Sequence, residues 1–358
     1  MTARGENGVR RRLNYRAGGD LELELSWFAV TDVGRRRENN QDSYVTAPPV
    51  FAIADGMGGH SAGEIASAAV VRRLAELGGK DLVSEQDIDE TLGDAVDDIE
   101  LDAGDTELGA GTTVTGVVLG TDPEPTWKVF NIGDSRVYQY FKGALSQITV
   151  DHSVVQHLID TGAITEEEAE VHPHANVITR AVGFNEAPIP DYTSLALIPG
   201  QRLLICSDGL TKELTDVGIQ HFLATEVTAE AAARSLVHHA LENAGRDNVT
   251  VVVIDVHAVG DVVDTGSIGA SGIDLTDTIG SSCGETDRSR AAAAVTSAPV
   301  HTPNGTDGAG GAASESGRES DEAARRSTSE LDPIDEDFDD VEPMILPDAP
   351  TAPRPNRR

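Results

Sequence analysis

Five aspartates stand where an apolar run meets a glycine or a polar turn. FAIADG places Asp55 before Gly56, FNIGDS places Asp134 after Gly133, and LLICSDG places Asp208 before Gly209. Two more precede apolar runs: Asp42 in NNQDSY, and Asp247 in GRDN ahead of VTVVVIDV. An aspartate at a strand end is held by the scaffold yet faces an opening, and a neighbouring glycine lets backbone, ion or water approach closely. One Asp-Gly pair is an ordinary turn, so the weight lies in the conjunction. Carboxylates brought to one spot repel each other and tolerate the proximity when a cation sits between them. Ligation by oxygen alone points to hard cations, Mg²⁺ or Mn²⁺, rather than zinc. Two such ions close together polarise a phosphoryl group and activate water. Spacing alone does not establish that the five converge.

The elements that must hold them are legible in the same runs. Segments rich in Val, Ile, Thr or aromatics predict strands over 25–32, 44–54, 112–119, 127–132, 135–141, 192–197, 202–206 and 249–256. Helices are expected over 61–78, 85–104, 152–161, 164–170, 215–224 and 228–244. Ile65, Ala69, Val70, Leu74 and Leu77 fall at helical spacing in the first, and Thr228 with Glu230 opens the last as a cap. Residues 1–22 read as a flexible basic arm carrying Arg4, Arg10, Arg11, Arg12 and Arg16. Residues 23–257 read as one globular domain. Residues 258–358 read as a disordered acidic tail rich in Gly, Ser and Pro, with too little apolar surface to offset the entropy of ordering. Met344, Ile345 and Leu346 beside the acidic stretch 335–340 form an apolar island, either a docking motif or an accident of composition.

Charge excludes some classes of partner. With 358 residues and a formal charge of -34, the chain would be repelled by nucleic-acid phosphates and anionic lipid. No run of 18 apolar residues occurs, and no apolar segment follows the N-terminal arginines, so a cytoplasmic protein without a membrane span is expected. Of two cysteines, Cys206 sits in an apolar run as a core thiol and Cys283 in a Gly/Ser-rich stretch, so no disulfide framework or thiolate zinc site is suggested.

The ordered set TDVGRRRENNQDSY (31–44), AIADGMGGHSAGE (52–64), GTT (111–113), NIGDSRVY (131–138), TVDHS (149–153), RAVG (180–183), LICSDGL (204–210) and GRDNVTVVV (245–253) resembles the bacterial branch of the protein phosphatase 2C (PPM) family. The resemblance implies an α+β fold: a four-layer α/β/β/α sandwich with two central antiparallel sheets flanked by helices. It implies that Asp55 bridges two Mn²⁺ or Mg²⁺ ions with the Gly56 carbonyl also facing a metal. Asp208 and Asp247 would ligate one of the pair, and Asp42 would lie close by, acting through a bound water. Asp134 corresponds to a ligand of a third, weaker ion in many bacterial members, or else supports a turn. Arg37 would hold the substrate phosphate with its forked donors, while Arg35 and Arg36 read as solvated loop charges. A bridging water or hydroxide would attack phosphorus in line.

The segment 160–183 corresponds to the family's flap, in which His172 and His174 read as surface residues. Two positions depart from the wider family. Gln41 stands where glutamate is frequent, and Met57 stands where animal and plant members carry a histidine. His60 is placed to protonate the leaving group or bind phosphate, or to cap the following helix.

The activity expected is hydrolysis of phosphoserine and phosphothreonine on proteins phosphorylated by a bacterial serine/threonine kinase. The alternatives are a catalytically weak phosphoprotein-binding adaptor, against which the complete carboxylate set argues, and a small-molecule phosphatase. The acidic tail could compete for a basic substrate groove.

Overall fold

The computed structural model describes residues 1–16, 20–58, 61–104, 109–121, 124–184 and 187–261. The described part falls within one compact unit, Met1–Asp274. The readings of the tail beyond 261, with Cys283 and the 344–346 island, lie outside the described residues, as does His60.

In chain order the elements are β1 (Ala3–Gly5), β2 (Gly8–Arg16), β3 (Asp20–Asp32), β4 (Asp42–Ala47), β5 (Val50–Met57), α1 (Ala62–Ala75), α2 (Glu85–Ala103), β6 (Gly111–Thr112), β7 (Val114–Thr121), β8 (Pro125–Ile132), β9 (Arg136–Phe141), β10 (Ala144–Gln147), α3 (Val154–Asp160), α4 (Glu166–Glu170), β11 (Val182–Gly183), β12 (Asp191–Ala196), β13 (Arg202–Cys206), α5 (Asp208–Thr211), α6 (Asp216–Thr225), α7 (Ala229–Asn243) and β14 (Val249–Asp261). The first sheet runs β1-β4-β5-β7-β8-β12, with β6 joining β5 to β11, and the second runs β10-β9-β13-β14-β3-β2. Pairing is antiparallel except at one edge, where β1 runs parallel to β4.

Strand alternation builds four layers. On β14, Val252, Ile254 and Val256 point between the sheets, while Val249, Val251 and Val253 point at α5–α7. On β5, Phe51 and Ile53 face the second sheet, while Val50, Ala52 and Ala54 face α1 and α2. Trp27 meets Phe51 edge-on at 5.4 Å across the two sheets, and Phe51 meets Trp127 at 6.2 Å within the first. This is the predicted α/β/β/α sandwich.

Several expected boundaries change. Among the described residues, the expected flexible arm carries regular structure instead: β1, β2 and the start of β3. The run LELEL alternates, burying Leu21, Leu23 and Leu25 between the sheets with Tyr15, while Arg10 and Arg12 pair with Glu22 and Glu24 across the hairpin. The tail boundary at 258 falls inside β14, where Ala258 and Val259 still pair with Glu24 and Leu23. The single strand expected over 44–54 is a hairpin, because Pro48 and Pro49 lack the N–H that a continuing ladder needs. Five helices open on a Ser or Thr whose hydroxyl accepts a first-turn N–H, among them Ser84 on α2 and Thr228 on α7, where Ala231 is the donor. Cys206 is fully buried, which pushes its thiol up to about 12.

Candidate metal centre

The strand ends that carry the aspartates meet at one edge of the sandwich. Asp42 opens β4 and Asp55 lies near the end of β5, opposite it in register. Asp208 opens α5 directly after β13, Asp247 immediately precedes β14, and Asp134 sits in the turn between β8 and β9. Asp42 ties the two sheets together: its Oδ2 accepts Ser207 Oγ at 2.9 Å and Thr250 Oγ1 at 2.6 Å. Asn248 fixes the loop ahead of β4, donating to the Val33 and Asn39 carbonyls and accepting the Gln41 N–H.

Close backbone approach explains two of the glycines. A Cβ on Gly56 would overlap the Gly63 carbonyl, and one on Gly209 would overlap the Asn248 carbonyl. The GTT motif supports Asp55 from beneath. The Thr113 N–H and the Thr112 hydroxyl both donate to the Asp55 carbonyl, and Thr113 Oγ1 accepts the Asp55 N–H. Ser135 then joins Thr113 at 3.0 Å, next to Asp134.

The five carboxylates lie close enough to act on one another. Burial raises Asp55 well above the carboxylate range, and Asp42, Asp208, Asp134 and Asp247 each add to the rise. Burial lifts Asp42 to about 6, opposed by its bonds from Thr250 and Ser207 and reinforced by Asp208 and Asp247. Burial lifts Asp134 to about 7, with Asp208 and Asp151 adding and Lys212 opposing. Asp247 differs: burial would raise it, but the Lys212 ammonium and the Arg37 guanidinium outweigh that and hold it below the usual value.

Arg37 grips Asp247 with two donors, Nε to Oδ1 at 2.8 Å and Nη2 to Oδ2 at 3.0 Å, its side chain half exposed. Lys212, which the sequence reading did not single out, places its Nζ on both Asp208 and Asp247. A lysine four residues after a strand-end aspartate signals this only once 208–211 is seen to be a helical turn. Arg35 is not merely solvated: its Nε donates to the Leu241 carbonyl near the end of α7. His172 and His174 lie with their ring centroids 5.5 Å apart, tilted at 49°, in the turn after α4.

The segment 160–183 is tied down at its far end. Val182 pairs with Thr112, and Thr112 pairs with Gly56, so β11 and β6 extend the sheet beside Asp55. His152 joins that region to the Asp134 turn. Its Nδ1 accepts the Gly133 N–H, and its Nε2 lies 3.0 Å from Asp191 and 3.2 Å from Arg180.

Two observations bear on whether the site suits divalent ions. Asp42 Oδ1 and Asp208 Oδ1 are buried with no hydrogen-bond partner, which leaves acceptor oxygens for a cation. Every donor in the cluster is oxygen, the set that hard cations take. Among the described residues no ready cage of three His, Cys, Asp or Glu surrounds one point. Asp247 is taken up by Arg37 and Lys212, and Asp42 by Ser207 and Thr250. The donors fit, with side chains turned toward internal partners.

The protein phosphatase 2C family profile matches residues 34–273. The serine/threonine protein phosphatase PstP of Mycobacterium tuberculosis is 40% identical over 240 residues, covering 66% of this chain and 46% of that protein. The chain thus spans about half the length of that relative. The serine/threonine phosphatase stp of Listeria monocytogenes is 31% identical over 238 residues, covering 63% of this chain and 93% of that protein. Among solved structures, the catalytic domain of PstP in complex with two manganese ions aligns at 37% identity and a TM-score of 0.57, covering 65% of this chain and 99% of the other.

Proposed function

The chain belongs to the protein phosphatase 2C family, and from that premise we propose that it is a metal-dependent protein serine/threonine phosphatase. The observation that carries the proposal is the position of Asp55, buried and repelled by four other aspartates at once. A cluster of that charge is stable with cations and strained without them.

Asp55, the Gly56 carbonyl, Asp208 and Asp247 are the residues we assign to two Mn²⁺ or Mg²⁺ ions. Asp42 stands behind them through a water, and Asp134 serves a third, weaker ion. The two manganese ions bound by the PstP catalytic domain support a centre of two such ions. When bound, the ions supply Lewis-acid charge for the phosphoryl oxygens and activate the attacking water.

The chain's own residues do the rest. Ser207 and Thr250 hold Asp42 in one orientation, and Thr112 and Thr113 hold the Asp55 backbone. Arg37 sits at the rim on Asp247, where its guanidinium can exchange one carboxylate oxygen for those of a phosphate. His60 remains the sequence's candidate for the leaving-group proton. The catalytic unit is taken to be the two-sheet sandwich from β1 to β14.

The substrates we propose are phosphorylated proteins, specifically those of a bacterial serine/threonine kinase, and the site of action is the cytoplasm. Among the described residues no helix is long and apolar enough to cross a membrane. The test is phosphate release from a phosphothreonine peptide with Mn²⁺. Release should require Mn²⁺, stop with EDTA and be lost in Asp55→Asn. An Asp55→Asn rate equal to wild type would overturn the assignment, and faster turnover of sugar phosphates would favour a small-molecule phosphatase.

A further inference from the structure

Asp208 and Asp247 come from different loops, yet one side chain touches both. Lys212 lies at the C-terminal end of α5, one helical turn after Asp208, and its N–H donates to the Asp208 carbonyl at 2.8 Å. That turn carries the ammonium over the Asp208 carboxylate, and it reaches Asp247 Oδ2 at 3.1 Å. The lysine side chain is 28% exposed and the two aspartates 16% each, so the contact lies within the site rather than on open surface. Arg37 covers the other side of Asp247.

Positive charge is therefore unevenly distributed. Asp208 and Asp247 have a resident cation between them. Asp55 faces four carboxylates, and Asp42 is compensated by neutral hydroxyls alone among the partners described above. An ion entering beside Asp55 relieves repulsion and displaces nothing charged. An ion entering between Asp208 and Asp247 must first move an ammonium that already neutralises them.

We propose that Lys212 is an internal counter-cation that competes with one divalent ion for Asp208 and Asp247. It thereby sets two unequal metal affinities and holds the metal-free centre together. The proposal rests on the metal-dependent reading above. Lys212 is a positioning residue acting through two carboxylates. At the separation of a contact pair, partly screened charges interact strongly enough to shift an affinity tenfold or more.

The experiment is Mn²⁺ binding to the full chain, read from the EPR signal of free Mn²⁺, for wild type, Lys212→Gln and Lys212→Arg. Melting of the EDTA-treated proteins is followed in parallel. Besides the third ion assigned to Asp134, wild type should bind a pair of ions of distinct affinity. Lys212→Gln should tighten the weaker one about tenfold and leave the tighter within twofold, while its metal-free form melts earlier than wild type. Lys212→Arg, which keeps the charge, should keep the weaker ion weak, and it decides the matter if Lys212→Gln fails to fold. A weaker-ion affinity that is unchanged or lowered in Lys212→Gln, or tightened in Lys212→Arg, overturns the proposal alone. Wild type that binds no Mn²⁺ overturns the metal reading and the proposal with it.

Discussion

Asp42 and Asp55 stand directly opposite each other in the β4–β5 ladder, two carboxylates at the ends of neighbouring strands. Like charges so placed destabilise a sheet. Here the pairing persists because Asp42 is anchored to the second sheet through Ser207 and Thr250. The metal-free site is thus strained by its own design, and that strain is measurable.

Asp42→Asn should relieve it. The amide oxygen can still accept from Ser207 and Thr250, while one charge disappears beside Asp55. The EDTA-treated variant should melt roughly 2–4 °C above EDTA-treated wild type. The gain in melting temperature on adding Mn²⁺ should shrink, since a ligand that binds only the folded form stabilises it in proportion to affinity. A lower metal-free melting temperature in Asp42→Asn would show that the hydrogen bonds matter more than the repulsion.

Arg37→Lys separates phosphate binding from chemistry. Lysine keeps the charge but loses the fork that now holds both oxygens of Asp247. If Arg37 serves mainly to hold the phosphate, KM for a phosphopeptide should rise about tenfold, with kcat changed less than threefold. An equal fall in kcat and kcat/KM would instead place the guanidinium in the transition state.

The site was more legible in the sequence than its supports were. Asp55, Asp134 and Asp208 announce themselves because each ends an apolar run at a glycine, a local pattern. The opposition of Asp42 to Asp55 depends on a hairpin that the apolar run 44–54 conceals, and Pro48 and Pro49 are its local mark. Lys212 was invisible for a similar reason, since 208–211 carries no periodicity long enough to predict a helix. The basic N-terminal composition masks the signal of LELEL, whose alternating leucines seat β3 between the sheets. Ser207 and Thr250 act across the two sheets, a contact that no local signal encodes.

Asp98 offers a pH test away from the metals. Arg73 donates to it at 2.6 and 2.7 Å and Arg72 at 3.0 Å, joining α1 to α2. The Arg73 bonds, against a desolvation cost and with help from Arg72, lower its pKa to about 2 from the ordinary 3.8. A depressed folded pKa gives stability that is fully present above the unfolded value and lost as pH falls through the folded one. Asp98→Asn should therefore melt below wild type by roughly 2 °C at pH 6. The gap should narrow between pH 4 and pH 2. A gap of constant size across that range would mean the carboxylate's charge is not its source.

Arg202 probes the frame beneath the site. It faces Asp255 in the β13–β14 register and binds it twice, at 2.6 and 3.0 Å, with both side chains nearly enclosed. The same guanidinium donates to the Leu223 and Glu226 carbonyls at 2.8 and 2.7 Å, satisfying the C-terminal end of α6. Arg202→Ala would strand a buried carboxylate and two carbonyls, so urea denaturation should show a loss of about 3–5 kcal/mol. Replacing both partners, as Arg202→Met with Asp255→Leu, removes the unpaired charge and should cost less than the single change. The α6 carbonyls stay unpaired in both variants, so the difference between them reports the stranded charge together with the volume that Met and Leu restore. If the double variant is as unstable as Arg202→Ala, the cost lies in the end of α6 rather than in the ion pair.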